Sequence, residues 1–396
     1  MLPFEEARSR ILEGVQLLGT ERVSLRQAAG RVLAEDIRAR EPLPRFDYSA
    51  MDGYALHTGS ATGSGPWSLP LRGESRAGAP LDQIEPGSIC RIFTGAALPA
   101  GADAVLALED ALERDGRVEF SWALKAGQHV RRRGEDLAEG DLALEAGMLL
   151  GAYHVGVAAG VDRPELLVAR RPRVTIVGTG DELRAPGEPG PLTSIPESNG
   201  LSIAVLAESV GARVHLPARI ADDAATLRER LTQALADTDL LVTIGGVSVG
   251  RYDLVRPALE AAGAELDFWK VQIRPGKPLV HGRRGATRIL GLPGNPVSAQ
   301  LTFSLFGLPL LRALQGQRAP VPAYESAVLL AELRQKPGRL GFYRARWSPA
   351  GVLPVDNQAS GNVLSLAHAD ALVLVPADSS GYGVGERVQI LRLASL

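Results

Sequence analysis

Three cations stand close together in residues 270–278, namely Lys270, Arg274 and Lys277. In an extended strand alternate side chains share a side, so Lys270 and Arg274 should point the same way, and a turn at Pro275-Gly276 can bring Lys277 to them. The whole chain carries a net charge of −2, so an anionic ligand needs such a local concentration of positive charge. We predict that this segment binds a dianion, although a solvated strand end would show the same pattern.

Carboxylates lie in or beside glycine-rich breaks of the chain, at Asp181, Glu182, Asp222 and Asp253. Mg²⁺ usually takes one or two carboxylates, several waters and the phosphates of a substrate. Asp222 and Asp253 each precede a predicted helix, where an aspartate can equally serve only as an N-cap. The residues alone leave both roles open, and Asp253 is the preferred metal candidate.

The breaks themselves follow three apolar runs. Residues 174–177 end at Gly178-Thr179-Gly180, residues 240–244 end at Gly245-Gly246, and residues 288–290 end at Gly291-Leu292-Pro293-Gly294. Apolar runs spaced by amphipathic helical patterns are typical of buried strands in a parallel sheet. The carboxyl ends of such strands share one edge, which is where open α/β sheets bind ligands. We therefore expect the three turns to meet and form the site.

Two of the turns precede a helix, and backbone N–H groups at a helix start favour anions. Residues 245–250 are not a Walker A loop, because Arg251-Tyr252 replaces Lys-Ser/Thr, and Gly178-Thr179-Gly180 lacks the third glycine of a Rossmann fingerprint. The pattern predicts a nucleotide or pterin phosphate site of another kind.

Around this α/β block the patterns change. Phe4, Ala7 and Ile11 share one helical face, short strands and turns fill 54–140, and strands recur after a proline-containing linker at 318–322. We predict an α/β and β multidomain protein with four domains. They are an N-terminal helical domain (1–40 plus 141–170), an inserted β domain (41–140), an α/β domain (171–316) and a C-terminal β domain (317–396).

Composition excludes several classes of protein. The chain has 396 residues, and its one cysteine, Cys90, allows neither an intrachain disulfide nor a cysteine-based metal cluster. Its net charge gives no general attraction to nucleic acid or to an anionic membrane, and no leader or membrane-spanning run is evident. We expect a cytoplasmic protein that binds neither nucleic acid nor membranes.

Several motifs together resemble the MoeA family, the molybdopterin molybdenumtransferases related to the E domain of gephyrin. They occur in the family's order over essentially the whole chain: Ser49-Ala50-Met51-Asp52-Gly53-Tyr54-Ala55, Thr94-Gly95-Ala96, 101–105, 131–136, 179–183, 245–250, 274–278, 291–298 and Gln358-Ala359-Ser360-Gly361.

The resemblance implies a central MogA-like, doubly wound α/β domain and a defined reaction. Such enzymes insert molybdenum from molybdate into adenylated molybdopterin and hydrolyse the adenylate with a divalent cation, Mg²⁺, which releases AMP and forms molybdenum cofactor. It also implies a homodimer whose site lies between the α/β domain of one subunit and the β domain of the other. A molybdopterin adenylyltransferase that makes the adenylated substrate is a possible protein partner.

The resemblance also assigns residues. Those expected to take part in catalysis are Asp52, Thr94, Asp136, Glu182, Asp222, Lys270 and Lys277, the first three approaching from the partner subunit. Those expected to bind the substrate are Gly180, Gly245, Gly246, Ser248, Arg274, Pro293, Gly294, Asn295, Ser298 and Ser360. The expected metal ligands are Asp253, Glu182 and Asp222.

Three positions depart from the family pattern. Arg274 stands where many relatives have lysine, Tyr48 where asparagine is common, and Glu197 where aspartate precedes Ser-Asn. A guanidinium and an ammonium offer different geometry, so these changes affect details of contact rather than the reaction. The alternatives are a MogA-like molybdopterin adenylyltransferase, which lacks the N-terminal insertion and the C-terminal β domain, and a non-catalytic scaffold.

Overall fold

The three apolar runs form adjacent strands of one sheet. In the computed structural model, which describes residues 1–217, 223–246 and 254–396, Leu240–Ile244 lies parallel between Arg173–Gly178 and Thr287–Leu292. The register pairs Gly178 with Ile244, and Ile244 with Leu292. The strands end level with one another, so the turns that follow them begin side by side, as the sequence predicts.

The central sheet has six strands in all, and helices cover both of its faces. Across the sheet the strands are Arg213–His215, Arg173–Gly178, Leu240–Ile244, Thr287–Leu292, Pro278–Arg284 and Glu265–Lys270. The first four are parallel, and the last two pair antiparallel to their neighbours. Two separate apolar cores result, one with the helices Asn199–Ser209 and 296–314, the other with Ala224–Ala234 and Val255–Ala261. This is the doubly wound arrangement expected.

The longest helix runs through the larger core. Pro296–Leu314 consists of Pro296–Thr302, a wider π-helical turn over Phe303–Gly307, and Leu308–Leu314. Its length and composition would suit a membrane span, but 89% of its apolar window is buried inside the protein. A helix that is apolar all round is what a buried core element requires.

The first helix, Phe4–Leu12, packs on this same core through its predicted apolar face. Phe4, Ala7 and Ile11 are buried with the central sheet. The Phe4 ring meets Phe306 edge-on, with ring centroids 5.2 Å apart, and Phe342 at 5.1 Å. Because Phe306 and Phe342 belong to the α/β and C-terminal parts, the helix stabilises the junction between them.

The rest of the N-terminal part packs against the segment 141–170. The helices Leu25–Ala28 and Ala152–Gly160 contact each other and share one apolar core. Two antiparallel strand pairs accompany them, Thr20–Ser24 with Glu165–Ala169 and Ile37–Arg38 with Leu142–Leu144.

Between these elements lies a β structure built on a six-stranded sheet. Its strands are, in order across the sheet, Ala104–Ala107, Gly53–Leu56, Ile89–Ile92, Trp67–Ser75, Arg117–Phe120 and Leu112–Arg114. A small pair, Tyr48–Ser49 with Val130–Arg131, lies beside it, and single helical turns occur at Thr58–Ser60 and Leu108–Asp110. Cys90 is buried in its core, and burial raises the pKa of its thiol to about 11.

The C-terminal sheet contains one strand from the α/β part of the chain. Its order is Ile273–Arg274, Leu340–Ser348, Ala371–Val375, Arg387–Arg392 and Glu325–Val328, and Gly351–Pro354 pairs with the second of these. Further elements are the pair Leu333–Arg334 with Gly381–Tyr382, the helix Leu364–Ala367 and a last turn, Leu393–Ser395. Because Ile273 pairs with Leu340, and Arg274 with Gly341, the cation-bearing segment is fixed to both domains.

Candidate active site

The three turns are held against one another by backbone hydrogen bonds. Thr179 donates its N–H to the carbonyl of Ile244 at 3.1 Å, and Gly245 donates to Leu292 at 3.0 Å. Gly246 has a φ of +61°, and a Cβ there would lie 2.5 Å from Cγ2 of Val255. Only glycine fits such a backbone beside the next helix, which explains why the turn is glycine-rich.

A cavity of about 600 Å³ opens above these turns. Six of the predicted site residues line it together: Glu182, Gly246, Pro293, Gly294, Asn295 and Ser298. The pair Leu183–Arg184 and Ile195–Pro196 forms one side of it. We call this space the turn cavity.

Two helix N-termini face the turn cavity. Asn199 begins the helix Asn199–Ser209 and donates from Nδ2 to the carbonyl of Gly294 at 2.8 Å, while its Oδ1 is buried without a partner among the described residues. Glu197 accepts from the N–H of Gly200 at 2.7 Å. Asn295 precedes Pro296 at the start of the long helix. Two positive dipole ends make the cavity suitable for phosphate groups.

A second cavity, of about 440 Å³, adjoins the first between the α/β and C-terminal parts. Four residues with cationic side chains line it: Arg274, Lys277, Arg339 and Arg344. Among the described residues no carboxylate lines it. Pro278 and Ser298 belong to the walls of both cavities, so the two spaces adjoin each other. We call this second space the cationic cavity.

Arg344 is the least exposed of the four cations. Its side chain is 1% exposed, and it donates from Nε to Oγ of Ser365 at 3.1 Å and from Nη2 to the carbonyl of Ala359 at 3.2 Å. Burial lowers the pKa of its guanidinium to about 10, and its acceptors are neutral. The group is therefore charged at neutral pH without an anionic partner in the described chain, which an oxyanion would supply.

Ser360 joins the two domains where the cavities meet. Its carbonyl accepts from the N–H of Val297 at 3.0 Å, and its Oγ accepts from Nδ2 of Asn295 at 3.3 Å. Ser360 lines the cationic cavity, and Gly361 lines the turn cavity. The sequence motif near the chain end thus reaches the turns of the α/β domain.

The two predicted lysines occupy different positions. Lys277 lines the cationic cavity, and its backbone accepts from Val271 at 3.0 Å. Lys270, at the end of Glu265–Lys270, is half-buried and lies outside the walls of both cavities. Its role in the reaction stays a prediction.

Asp52, Thr94 and Asp136 lie in the inserted β part and line neither cavity of their own chain. Thr94 donates its N–H and its hydroxyl to the same oxygen of Asp52, each at 2.8 Å, and these bonds lower the pKa of the carboxyl. Asp136 accepts from Arg131 at 2.6 Å. Hydrogen bonds within the inserted β part therefore hold these side chains, and they do not border either cavity.

Of the three predicted metal ligands, Glu182 is the one that lies among the described residues. Asp222 and Asp253, like Ser248, lie outside the described residues. Residues 1–217, 223–246 and 254–396 contain no group of three His, Cys, Asp or Glu able to hold a metal ion. Glu182 contributes a carboxylate to the turn cavity and lies against Gly180, whose Cβ would be 2.6 Å from Oε2 of Glu182. Glu197 also lines this cavity. One or two carboxylates beside space for phosphates fit Mg²⁺, which retains several waters.

The sequence did not identify Arg339 and Arg344 as site residues. Arg344 stands among apolar neighbours in Leu340–Ser348, and a charge within a buried strand was the available signal. Its contact with residues 357–359 depends on tertiary packing, which residue patterns do not describe.

Comparison with known proteins agrees with this architecture. Residues 2–161 match the profile of the MoeA N-terminal region (domain I and II), residues 175–313 that of a probable molybdopterin binding domain, and residues 326–393 that of the MoeA C-terminal region (domain IV). The α/β domain with its cavities is thus of the molybdopterin-binding class, flanked by both MoeA regions.

Similar proteins span nearly the whole chain. The molybdopterin molybdenumtransferase of Haemophilus influenzae is 35% identical, covering 98% of each chain, and molybdopterin molybdenumtransferase 2 of Mycobacterium tuberculosis is 38% identical, covering 93% of this chain and 94% of that protein. The crystal structure of the molybdopterin biosynthesis MoeA protein from Pyrococcus horikoshii OT3 superimposes with a TM-score of 0.87 at 27% identity, over 98% of this chain and 99% of that one. The chain belongs to the MoeA family of molybdopterin molybdenumtransferases, which confirms the predicted resemblance and multidomain fold.

Proposed function

We propose that this enzyme inserts molybdenum from molybdate into adenylated molybdopterin, with Mg²⁺-dependent hydrolysis of the adenylate and release of AMP. The observation that carries the proposal is the pair of adjoining cavities, one lined by four cationic residues and the other by helix N-termini and Glu182. Two anionic reactants need separate but adjoining places of this kind.

Molybdate is assigned to the cationic cavity. Two unit charges 4 Å apart attract by about 1 kcal/mol in water and about 4 kcal/mol at an effective dielectric of 20. Several cations around a dianion therefore favour its binding by several kcal/mol. Arg274, Lys277 and Arg344 surround the space, and the hydroxyls of Ser298 and Ser360 are available as donors.

Adenylated molybdopterin is assigned to the turn cavity. Backbone N–H groups at the starts of the helices at Asn199 and Pro296 would face its phosphates. When bound, Mg²⁺ would neutralise charge on the phosphoanhydride, and Glu182 would be one of its ligands. The assignment of Asp222 and Asp253 as further ligands rests on the sequence pattern and the resemblance, and that of Ser248 to the substrate rests on the resemblance.

The shared wall gives a physical reason for catalysis. Pro278 and Ser298 border both cavities, so reactants in the two spaces are neighbours. Holding two reactants in one geometry contributes about 7–11 kcal/mol in favourable intramolecular cases. The four cations also reduce the repulsion between molybdate and the adenylated substrate, which otherwise opposes their encounter.

A homodimer with a composite site accounts for the remaining predicted residues. Asp52, Thr94 and Asp136 line neither cavity of their own chain, so a role for them at the cleft requires a second subunit. We propose this role, Lys270 as a further oxyanion contact, and the division into 1–40 with 141–170, 41–140, 171–316 and 317–396.

We further propose that the enzyme works in the cytoplasm and accepts its substrate from a molybdopterin adenylyltransferase. Neither nucleic acid nor a membrane is needed for this reaction. The one helix with a membrane-like composition among the described residues is buried in the core.

The deciding experiment supplies adenylated molybdopterin, molybdate and Mg²⁺, and follows AMP release together with cofactor formation. We expect both products to accumulate in equal amounts and to depend on molybdate and Mg²⁺. Adenylylation of molybdopterin from ATP without a second protein would instead identify an adenylyltransferase. An absence of both reactions in the folded dimer would favour a scaffold.

A further inference from the structure

The cationic cavity is walled by groups that donate hydrogen bonds. Arg274, Arg339 and Arg344 present guanidinium groups and Lys277 an ammonium group, and neither group has an acceptor atom. No carboxylate lines this cavity within residues 1–217, 223–246 and 254–396. An oxyanion placed here therefore meets an excess of donors.

Several acceptor atoms in the wall are already engaged by the protein. Oε1 of Gln358 accepts from the N–H of Arg344 at 3.1 Å, and the carbonyl of Ala359 accepts from its guanidinium at 3.2 Å. Oγ of Ser360 accepts from Nδ2 of Asn295 at 3.3 Å. A P–OH group in this cavity would therefore compete with protein donors for these acceptor atoms.

This arrangement distinguishes oxyanions by their protons. Molybdate, tungstate and sulfate are fully deprotonated dianions at neutral pH, so all of their oxygens accept. Phosphate at neutral pH retains at least one proton, and its P–OH group needs an acceptor. A donor left without a partner in a desolvated site costs about 1–3 kcal/mol, which corresponds to about 5-fold to 150-fold in affinity.

We propose that the cationic cavity selects fully deprotonated tetrahedral dianions, so that sulfate and tungstate compete with molybdate while phosphate is rejected. The inference rests on the proposed function, because it takes this cavity as the molybdate site. It adds the rule by which the site chooses among anions of similar size and charge.

Arg339 offers a way to change that rule. It lies at the half-exposed side of the cavity, and no described residue forms a hydrogen bond or ion pair with its side chain. Arg339→Glu adds a strong acceptor to the wall, and Arg339→Met is the matched control that removes the positive charge without adding a hydrogen-bond acceptor of that kind. Both changes weaken dianion binding, since each removes a cation.

The test is titration calorimetry of the full-length protein with molybdate, tungstate, sulfate and phosphate at one ionic strength and neutral pH. We expect the first three anions to bind competitively and phosphate to bind at least about 5-fold more weakly than sulfate. In Arg339→Glu the affinity ratio of phosphate to sulfate should rise at least about 5-fold above its value in Arg339→Met.

The outcomes separate the two proposals. If molybdate binds and phosphate competes as well as sulfate does, the selection rule is wrong and the proposed function stands. The rule is also wrong if the two Arg339 variants give the same affinity ratio. If molybdate does not bind to the wild-type protein at all, the proposed function fails first. Thermal unfolding of each variant verifies that it is folded before its affinities are compared.

Discussion

Replacing Arg344 by methionine should impair the use of molybdate far more than the use of adenylated molybdopterin. The guanidinium is 1% exposed, lines the cationic cavity and has only neutral acceptors in the described chain. Truncating one partner of a buried, hydrogen-bonded charge pair costs about 2–5 kcal/mol. At 1.4 kcal/mol for each factor of ten, the KM for molybdate should rise by about 30-fold to 4,000-fold.

The effect on folding should be smaller. The carbonyl of Ala359 and the hydroxyl of Ser365 lose a donor in Arg344→Met, which lowers the free energy of unfolding by about 1–3 kcal/mol. Urea denaturation measures this loss and verifies that the variant is folded under assay conditions.

The assay is molybdate-dependent cofactor formation at saturating adenylated molybdopterin, followed by the reverse titration. Arg344→Lys is the matched control: it keeps the charge but lacks the planar fork, so its KM for molybdate should fall between those of the wild type and Arg344→Met. An unchanged KM for molybdate in folded Arg344→Met would refute the assignment of the cavity. Equal increases in the KM values of both substrates would show that the change disturbs the whole site.

Three further changes test other parts of the structure. Glu182→Gln should slow AMP release by on the order of 100-fold with little change in molybdate affinity. The reason is that Glu182 is the proposed Mg²⁺ ligand, and a bound metal ion contributes several kcal/mol to phosphoryl chemistry. AMP assays measure the first effect and calorimetry with molybdate measures the second. Gly246→Ala should also reduce AMP release, since its Cβ would lie 2.5 Å from Val255, and normal activity would contradict the close packing of the turn. Burial alone would raise the pKa of the Asp239 carboxyl. Its hydrogen bonds and ion pairs, of which that with Arg170 is the strongest, outweigh burial and lower this pKa below the ordinary value of 3.8. The resulting stability is present above that value and is lost as pH falls through the folded pKa. Asp239→Asn should therefore reduce the free energy of unfolding at pH 7 more than at pH 3, as measured by urea denaturation at each pH.

The convergence of the three turns was predictable because it follows from parallel pairing. Residues 174–177, 240–244 and 288–290 are apolar without alternation, as strands buried on both faces must be. Level strand ends then bring Gly178, Gly245 and Pro293 to one edge. Short-range patterns are sufficient where the sheet itself dictates the geometry.

The cationic cavity was only half predictable. The sequence identified Arg274 and Lys277 by their spacing, but the pairing of Ile273–Arg274 with Leu340–Ser348 involves only two residues and leaves no periodic signal. That pairing brings Arg339 and Arg344 to the same space. This pairing joins strands that are more than 60 residues apart in the sequence, so local sequence patterns cannot predict it.

The expectation for Lys270 shows the limit of alternation as a guide. Alternation places Lys270 and Arg274 on one side of a continuous strand, but the structure divides the segment between two sheets, with Lys270 in one and Arg274 in the other. Of these two residues, Arg274 lines the cationic cavity and Lys270 does not. Residue spacing predicts a shared side only while a strand continues.

The central claim is that molybdate and the adenylated substrate occupy adjoining cavities. Diffraction from crystals of the protein soaked with tungstate, whose anomalous signal locates the metal, tests it most directly. The account predicts an anion between Arg274, Lys277 and Arg344, beside Ser298 and Ser360. Tungsten bound only elsewhere, with this space filled by solvent, would contradict the account.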